Sequence, residues 1–184
     1  MNSMIRTLFC LLLAVLSSSV AHAGISDGLV EWLAEDAVFT AVRQMEFHPV
    51  VDNTGKHFDF DAAEAATQTL RQKLSQAGMV LLDPGGSAQH RIVIKSSLVY
   101  YQPGSVGGRW IGIGGGSAVC ILRTLLIDGH SGRMLGDLAG AYQVQVGGLF
   151  TVGADQKVPT AAAELLADRI LELTGMEEVD GEIY

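Results

Sequence analysis

Residues 61–82 read DAAEAATQTLRQKLSQAGMVLL. Asp61 is a helix N-cap, and Glu64 three residues on completes the pattern of a capping box. Ala63, Ala66, Leu70, Leu74 and Ala77 recur at helical spacing and make one apolar stripe. Gly78 supplies a left-handed stop. Met79 to Leu82 then reads as a short strand, closed by the turn Asp83-Pro84-Gly85-Gly86. Upstream the period changes to two: Phe39, Ala41, Met45 and Phe47 alternate with Thr40, Gln44, Glu46 and His48. That predicts a first strand, which Pro49 ends or marks as an edge. Strand, helix and strand in this order predict a crossover with parallel strands.

Further downstream the pattern predicts an antiparallel meander. In His90–Tyr101, Ile92, Ile94, Leu98 and Tyr100 face one way, and Arg91, Lys95, Ser97 and Tyr101 the other. Ser117–Asp128 is apolar on both faces, with Cys120, Leu122 and Leu126 on one side and Val119, Ile121, Leu125 and Ile127 on the other. This fits a central strand, its second face covered by the fold or by a partner chain. Asp128-Gly129-His130-Ser131-Gly132-Arg133 is a tight reversal into a last strand, Met134–Val146, with Leu138, Tyr142, Val144 and Val146 on one face. Gly136 and Gly140 thin that strand where another group approaches closely. Gly147 to Lys157 reads as a loop. Pro159 at N1 opens a closing helix with Ala162, Leu166, Ile170 and Leu173 inward and Gly175 as its stop. At the other end, Ile25–Asp36 reads as weakly helical, with Leu29, Trp32 and Leu33 on one face. The expected fold is α+β, a two-layer α/β sandwich: a mixed sheet of about five strands with two main helices mainly on one face.

The chain of 184 residues is 48% apolar and 17% charged, which excludes a disordered chain. Acids outnumber bases 20 to 12, which argues against nucleic acid as a partner. Met1–Ala23 has the parts of a cleaved secretory signal: Arg6, the apolar run Leu8–Leu16, and Ala21-His22-Ala23 before the cut. The apolar run is shorter than the roughly 20 residues of a membrane span. Residues 24–175 then make one globular domain, and 176–184 an acidic, flexible tail. Of the two cysteines, only Cys120 remains after such a cut, and its apolar surroundings predict a buried free thiol.

Four features resemble a bacterial family known as domain of unknown function 4410. They are Leu74-Ser75-Gln76-Ala77-Gly78, His90-Arg91-Ile92-Val93-Ile94, Arg109-Trp110-Ile111-Gly112-Ile113-Gly114-Gly115-Gly116-Ser117, and Leu126-Ile127-Asp128-Gly129-His130-Ser131-Gly132-Arg133-Met134-Leu135. The resemblance runs from about Phe39 to Leu173. It implies an envelope protein, often a lipoprotein, with an α/β sandwich similar to subunits of outer-membrane secretion and assembly complexes. It implies no catalytic residues. The chain departs from it in carrying no lipidated cysteine.

Glycine is concentrated: seven of the 22 lie between Gly104 and Gly116. This run fits neither G-x-G-x-x-G nor a P-loop, and it leads into a strand instead of a helix. From Trp110 to Leu122 there is no charge. The candidate interaction surface is therefore Arg109, Trp110, Ile111, Gly112, Ile113 and Gly114, joined by Gly147, Gly148 and Phe150 from a second charge-poor run. His57, Asp59 and Asp61 alternate, and with His48 or Asp52 they are the residue types of a divalent cation site or a metal-dependent hydrolase. Asp128, His130 and Ser131 carry the residue types of a nucleophilic triad, but they are adjacent in a turn, whereas triad members meet from separate segments. Glu31, Glu35 and Asp36 read as a wet helix face. Arg91, Lys95, Arg123 and Arg109 are placed to line one sheet face.

The sequence thus predicts an exported, non-enzymatic envelope protein, periplasmic or associated with the outer membrane, without a cofactor, which self-associates or binds other envelope proteins. The alternatives are a periplasmic hydrolase or metal enzyme using His48, His57 and nearby aspartates, and an oligomeric subunit touching the outer membrane through its glycine-rich hairpin.

Overall fold

The computed structural model describes residues 25–40, 42–85, 91–104, 117–144 and 154–176. In chain order the elements are β1 (Ile25–Leu33), β2 (Gln44–Asp52), α1 (Ala62–Gln76), β3 (Val80–Leu82), β4 (Ile92–Gln102), β5 (Ala118–Asp128), β6 (Met134–Val144) and α2 (Ala154–Thr174). The strands form one mixed sheet in the order β1-β6-β5-β4-β2-β3. β2 runs parallel to β3 and to β4, and the other pairs are antiparallel.

α1 forms where its stripe and caps require. The Asp61 carboxylate accepts from the Glu64 backbone N–H at 2.9 Å. Ala63, Ala66, Leu70 and Leu74 are buried. Gly78 turns the chain back with φ +86°, so β3 lies beside β2 and the crossover is closed. Replacing Asp61 by Ala removes the cap and is expected to cost about 1 kcal/mol in chemical denaturation. Asp61→Asn, which keeps an acceptor, is expected to stay near the parent; equal losses for both would overturn the capping role.

Both helices pack on one face of the sheet, α1 over β2, β3 and β4, and α2 over β5, β6 and the edge of β1. The core lies between the layers. It is built from Met45 and Phe47 of β2, Ile92, Ile94 and Leu98 of β4, Cys120, Leu122 and Leu126 of β5, Leu138 of β6, and Val158, Ala162, Leu166 and Ile170 of α2. Two buried hydroxyls on adjacent strands satisfy each other there, Ser96 of β4 and Thr124 of β5 at 2.8 Å. Lys73 of α1 pairs with Asp168 of α2.

Three expectations are corrected and one is narrowed. The sheet has six strands, because Ile25–Leu33 is a strand and not a helix. Leu29, Glu31 and Leu33 pair with Leu138 and the glycines on the core side of β6, while Val30 and Trp32 take the other side. The helical spacing of Leu29, Trp32 and Leu33 loses to the exposed edge of β6, which needs a hydrogen-bonding partner. Of the two roles expected of Pro49, the edge marker is the one found: β2 runs on through it, with a bulge between His48 and Val51. β3 pairs only with Gln44–Glu46, so this part of β2 has no neighbour to which Pro49 would need to donate. In β4 the faces of two tyrosines are exchanged. A bulge between Leu98 and Tyr100 reverses the alternation, leaving Tyr101 buried at 1% and Tyr100 39% exposed. Finally, α2 starts at Ala154, so Pro159 stands inside the helix instead of opening it. The expected inward positions of α2 hold, with Ala162, Leu166 and Ile170 fully buried and Gly175 at φ +65°.

Candidate interaction surface

Among the described residues, the helices leave one sheet face without cover. Cross-strand partners share a face, so the pairings define rows running across four strands. One row is Lys95, Leu125, Asp137 and Trp32, from β4, β5, β6 and β1 in turn. The next is Ser97, Arg123, Ala139 and Val30, and the next Tyr100, Ile121, Ala141 and Gly28. β5 thus presents large side chains in the middle of the face, and β6 beside it presents alanines.

The face is apolar and wet. Val30 is 74% exposed, Trp32 50% and Val51 57%; Val80, Val99, Tyr100 and Met134 are also exposed. These seven stand on strands, away from the helices. Val38, in the β1–β2 connection, completes the exposed large hydrophobics among the described residues, and neither α1 nor α2 carries one. Scattered exposed side chains are ordinary, but a contiguous set on one element face marks a contact surface. Val119, Ile121, Leu125 and Ile127 of β5 are half-buried there. The strand is central in the order, as its sequence predicts, and its second face is covered by no helix.

Four of the charges on this face are paired locally. Arg123 donates to both carboxylate oxygens of Asp137, at 2.8 and 2.6 Å. Its hydrogen bond and positive charge hold the Asp137 carboxyl below the usual carboxylate range against partial burial. At the β2 end, Glu46 accepts from Arg91 Nη2 at 2.6 Å and lies 2.7 Å from His48 Nε2. Burial opposes the Glu46 charge, but the His48 hydrogen bond and the positive Arg91 prevail and hold this carboxyl below its ordinary value. Arg91, Lys95 and Arg123 therefore do share this side, as expected.

The surface proposed from sequence, Arg109, Trp110, Ile111, Gly112, Ile113, Gly114, Gly147, Gly148 and Phe150, lies outside the described residues, as do residues 1–24 and the tail beyond Met176. The open face was missed at the sequence level for a specific reason: Val30 and Trp32 belong to a segment read as a helix. The two-sided apolar pattern of β5 is the signal that points to it.

The other candidates are dispersed. Asp61 caps α1, and Asp52 accepts from Thr54. His48 is engaged with Glu46. His57 and Asp59 line a shallow pocket of about 310 Å³ with Phe58, Phe60, Tyr101 and Pro103. Among the described residues no group of three or more His, Cys, Asp or Glu converges as a metal site. The Asp128 carboxylate accepts from the backbone N–H groups of His130 and Ser131 and from the Ser131 hydroxyl, so these residues build the β5–β6 turn. Glu31 pairs with Arg169 of α2, and Asp36 with Arg133. Cys120 is free and fully buried, and burial pushes its thiol up to about 12. Among the described residues no helix is long and apolar enough to cross a membrane.

No protein-family profile and no curated protein matches the chain. Solved structures do. Two structures of a PelC dodecamer from Paraburkholderia phytofirmans are 14% and 12% identical to this chain. They match 77% and 80% of it, and 98% and 96% of their own length, with TM-scores of 0.51 and 0.52. A protein of the domain of unknown function 4136 family from Bacteroides thetaiotaomicron is 12% identical over 80% of this chain and 97% of its own, with a TM-score of 0.47. At these identities the likeness to the PelC structures is one of fold.

Proposed function

We propose that the chain is a non-enzymatic, exported component of the bacterial cell envelope that works by assembling with proteins. One observation carries this reading: seven of the eight exposed large hydrophobics of the described residues lie on the sheet face that no helix covers. A face of this kind costs solubility and contributes nothing to the core, so it is explained by what it contacts. The secretory pattern of Met1–Ala23 and the resemblance to domain of unknown function 4410 support the envelope. The shared fold of the PelC dodecamer supports assembly as the mode of action.

The test is site-specific photocrosslinking in the exporting cell. A photoreactive phenylalanine at Val99, on the open face, is expected to trap protein adducts in the envelope fraction. The same residue at Glu164, on the outer surface of α2, is expected to trap few. Adducts equal at both positions, or none at either, would sink the reading.

A further inference from the structure

We propose that the open face pairs with the same face of a second copy, sheet against sheet, about a two-fold axis that runs along the strands between β5 and β6. This names the partner within the assembly reading and rests on it.

Three observations select a second copy in this orientation. The first is chemical matching. The outer surfaces of α1 and α2 carry none of the exposed large hydrophobics; they present Glu64, Gln68, Arg71, Glu164 and Glu172. Stacking the apolar face on another copy's helices would therefore bury charge under hydrocarbon. Among the described surfaces of a second copy, only the same face offers apolar area in return. Such an interface is self-complementary and closes as a dimer.

The second is size. With strands about 4.8 Å apart and rising about 3.3 Å per residue, the open face of the five longer strands covers roughly 700 Å², close to the approximately 800 Å² per partner of a stable interface. The chain carries a net charge of −8, yet the charges on this face are Lys95, the Arg123–Asp137 pair and the Glu46–Arg91 pair. The acids that two copies bring to the interface, Asp137 and Glu46, are each already paired with an arginine.

The third is shape, and it fixes the axis. An axis between β5 and β6 lays β5 of each copy over β6 of the other, with the sheets about 10 Å apart. Arg123 and Ile121 then face Ala139 and Ala141, so large side chains meet small ones in two of the central rows; in the third Leu125 comes over Asp137, whose carboxylate stays held by Arg123. The same operation lays β1 over β4. Tyr100 comes to Gly28, where a side chain meets nothing within 4 Å in this copy. Trp32 of one copy comes over Lys95 of the other, because both stand in the Leu125–Asp137 row. An ammonium over an indole face is favourable, and the dimer makes this contact twice.

The experiment combines mass and cross-linking on the purified protein. Light scattering after size exclusion is expected to give the mass of a dimer. Ala141→Cys is expected to cross-link to itself through a short bis-maleimide, with the deeply buried Cys120 silent; Glu164→Cys is expected not to. Lys95→Ala and Trp32→Ala should each weaken association about tenfold. Ala141→Arg should give a monomer with an unchanged circular dichroism spectrum, and Val99→Lys, at an exposed position, is a second variant that leaves the core alone. A monomeric parent protein overturns the proposal, as does an Ala141→Cys variant whose new thiol reacts only with a second cysteine placed on α2. If the parent is monomeric while position 99 still traps a different protein in cells, the dimer fails and the assembly reading stands. If position 99 traps nothing, both fail.

Discussion

Gly140→Val is expected to remove a large share of the stability of the fold. A Cβ built at Gly140 stands 2.9 Å from Leu166 Cγ and 3.1 Å from the Ala162 carbonyl oxygen. Both residues are fully buried on the underside of α2. Leu166 has some freedom to change rotamer, but the Ala162 oxygen is helix backbone and moves only if α2 lifts away from β6. Overpacking of this kind costs about 1–3 kcal/mol for a small addition. Valine adds two further methyls against the same helix, so the loss is expected at about 3 kcal/mol or more, against the approximately 5–15 kcal/mol that holds a typical domain together. Gly136→Ala is the internal comparison. Its Cβ would meet Leu33 Cδ2 at 3.0 Å and Leu126 Cδ1 at 3.3 Å, the ends of side chains that can turn aside. Urea unfolding midpoints should fall little for Gly136→Ala, clearly for Gly140→Ala, and furthest for Gly140→Val. Equal midpoints for the two alanine variants would mean that helix approach is not what glycine serves at position 140.

Glu46→Gln is expected to be the most damaging polar change. The side chains of Glu46 and Arg91 are only 10% and 12% exposed. Arg91 Nη1 is, among the described residues, the one buried side-chain nitrogen or oxygen without a hydrogen-bond partner. The guanidinium therefore depends on Glu46, and removing the carboxylate charge leaves a buried cation unpaired. Breaking a buried pair from one side costs about 3–5 kcal/mol, and the lower end is expected here because neither group is wholly enclosed. The variant also changes the response to acid. The folded-state value of Glu46 lies below its ordinary value of 4.5. Its contribution is therefore complete above the unfolded-state value, and it is lost as pH falls through the folded-state value. The parent should lose stability on acidification below about pH 4.5 more steeply than Glu46→Gln does. Glu31, Asp36, Asp128 and Asp137, also held low, act alike in both proteins and cancel in the difference. Parallel pH profiles for the two proteins would show that Glu46 is not the titrating group.

The two glycines at 136 and 140 show how far the sequence reaches. Their lack of side chains in an otherwise apolar strand announces that something packs close. Which group does so is settled by the approach of α2, more than twenty residues further along the chain. The same division runs through the strands. Met45, Phe47, Ile92, Ile94 and Leu98 alternate and are all buried as their period demands. The period fails at one place in β4, where the bulge after Leu98 exchanges Tyr100 and Tyr101. A bulge is a register defect between two strands, so no property of either strand alone announces it.

The site was less legible than the fold. Dispersed histidines and aspartates suggest chemistry when read along the chain, yet the fold gives each a different neighbour: Glu46 for His48, Thr54 for Asp52, the α1 N-terminus for Asp61. The open face, by contrast, is assembled from all six strands, and its one local trace is the two-sided apolar pattern of β5. By itself the sequence determined what depends on near neighbours: the capped helix with its stripe and glycine stop, the β-α-β crossover, the Asp128–Arg133 turn and the buried Cys120. The tertiary structure alone decided that Ile25–Leu33 is a strand and that Trp32, Tyr100 and Ile121 share a surface. Those outcomes depend on pairing and packing between segments far apart in the chain, where a free sheet edge or a layer of helices outweighs the preferences of any one segment.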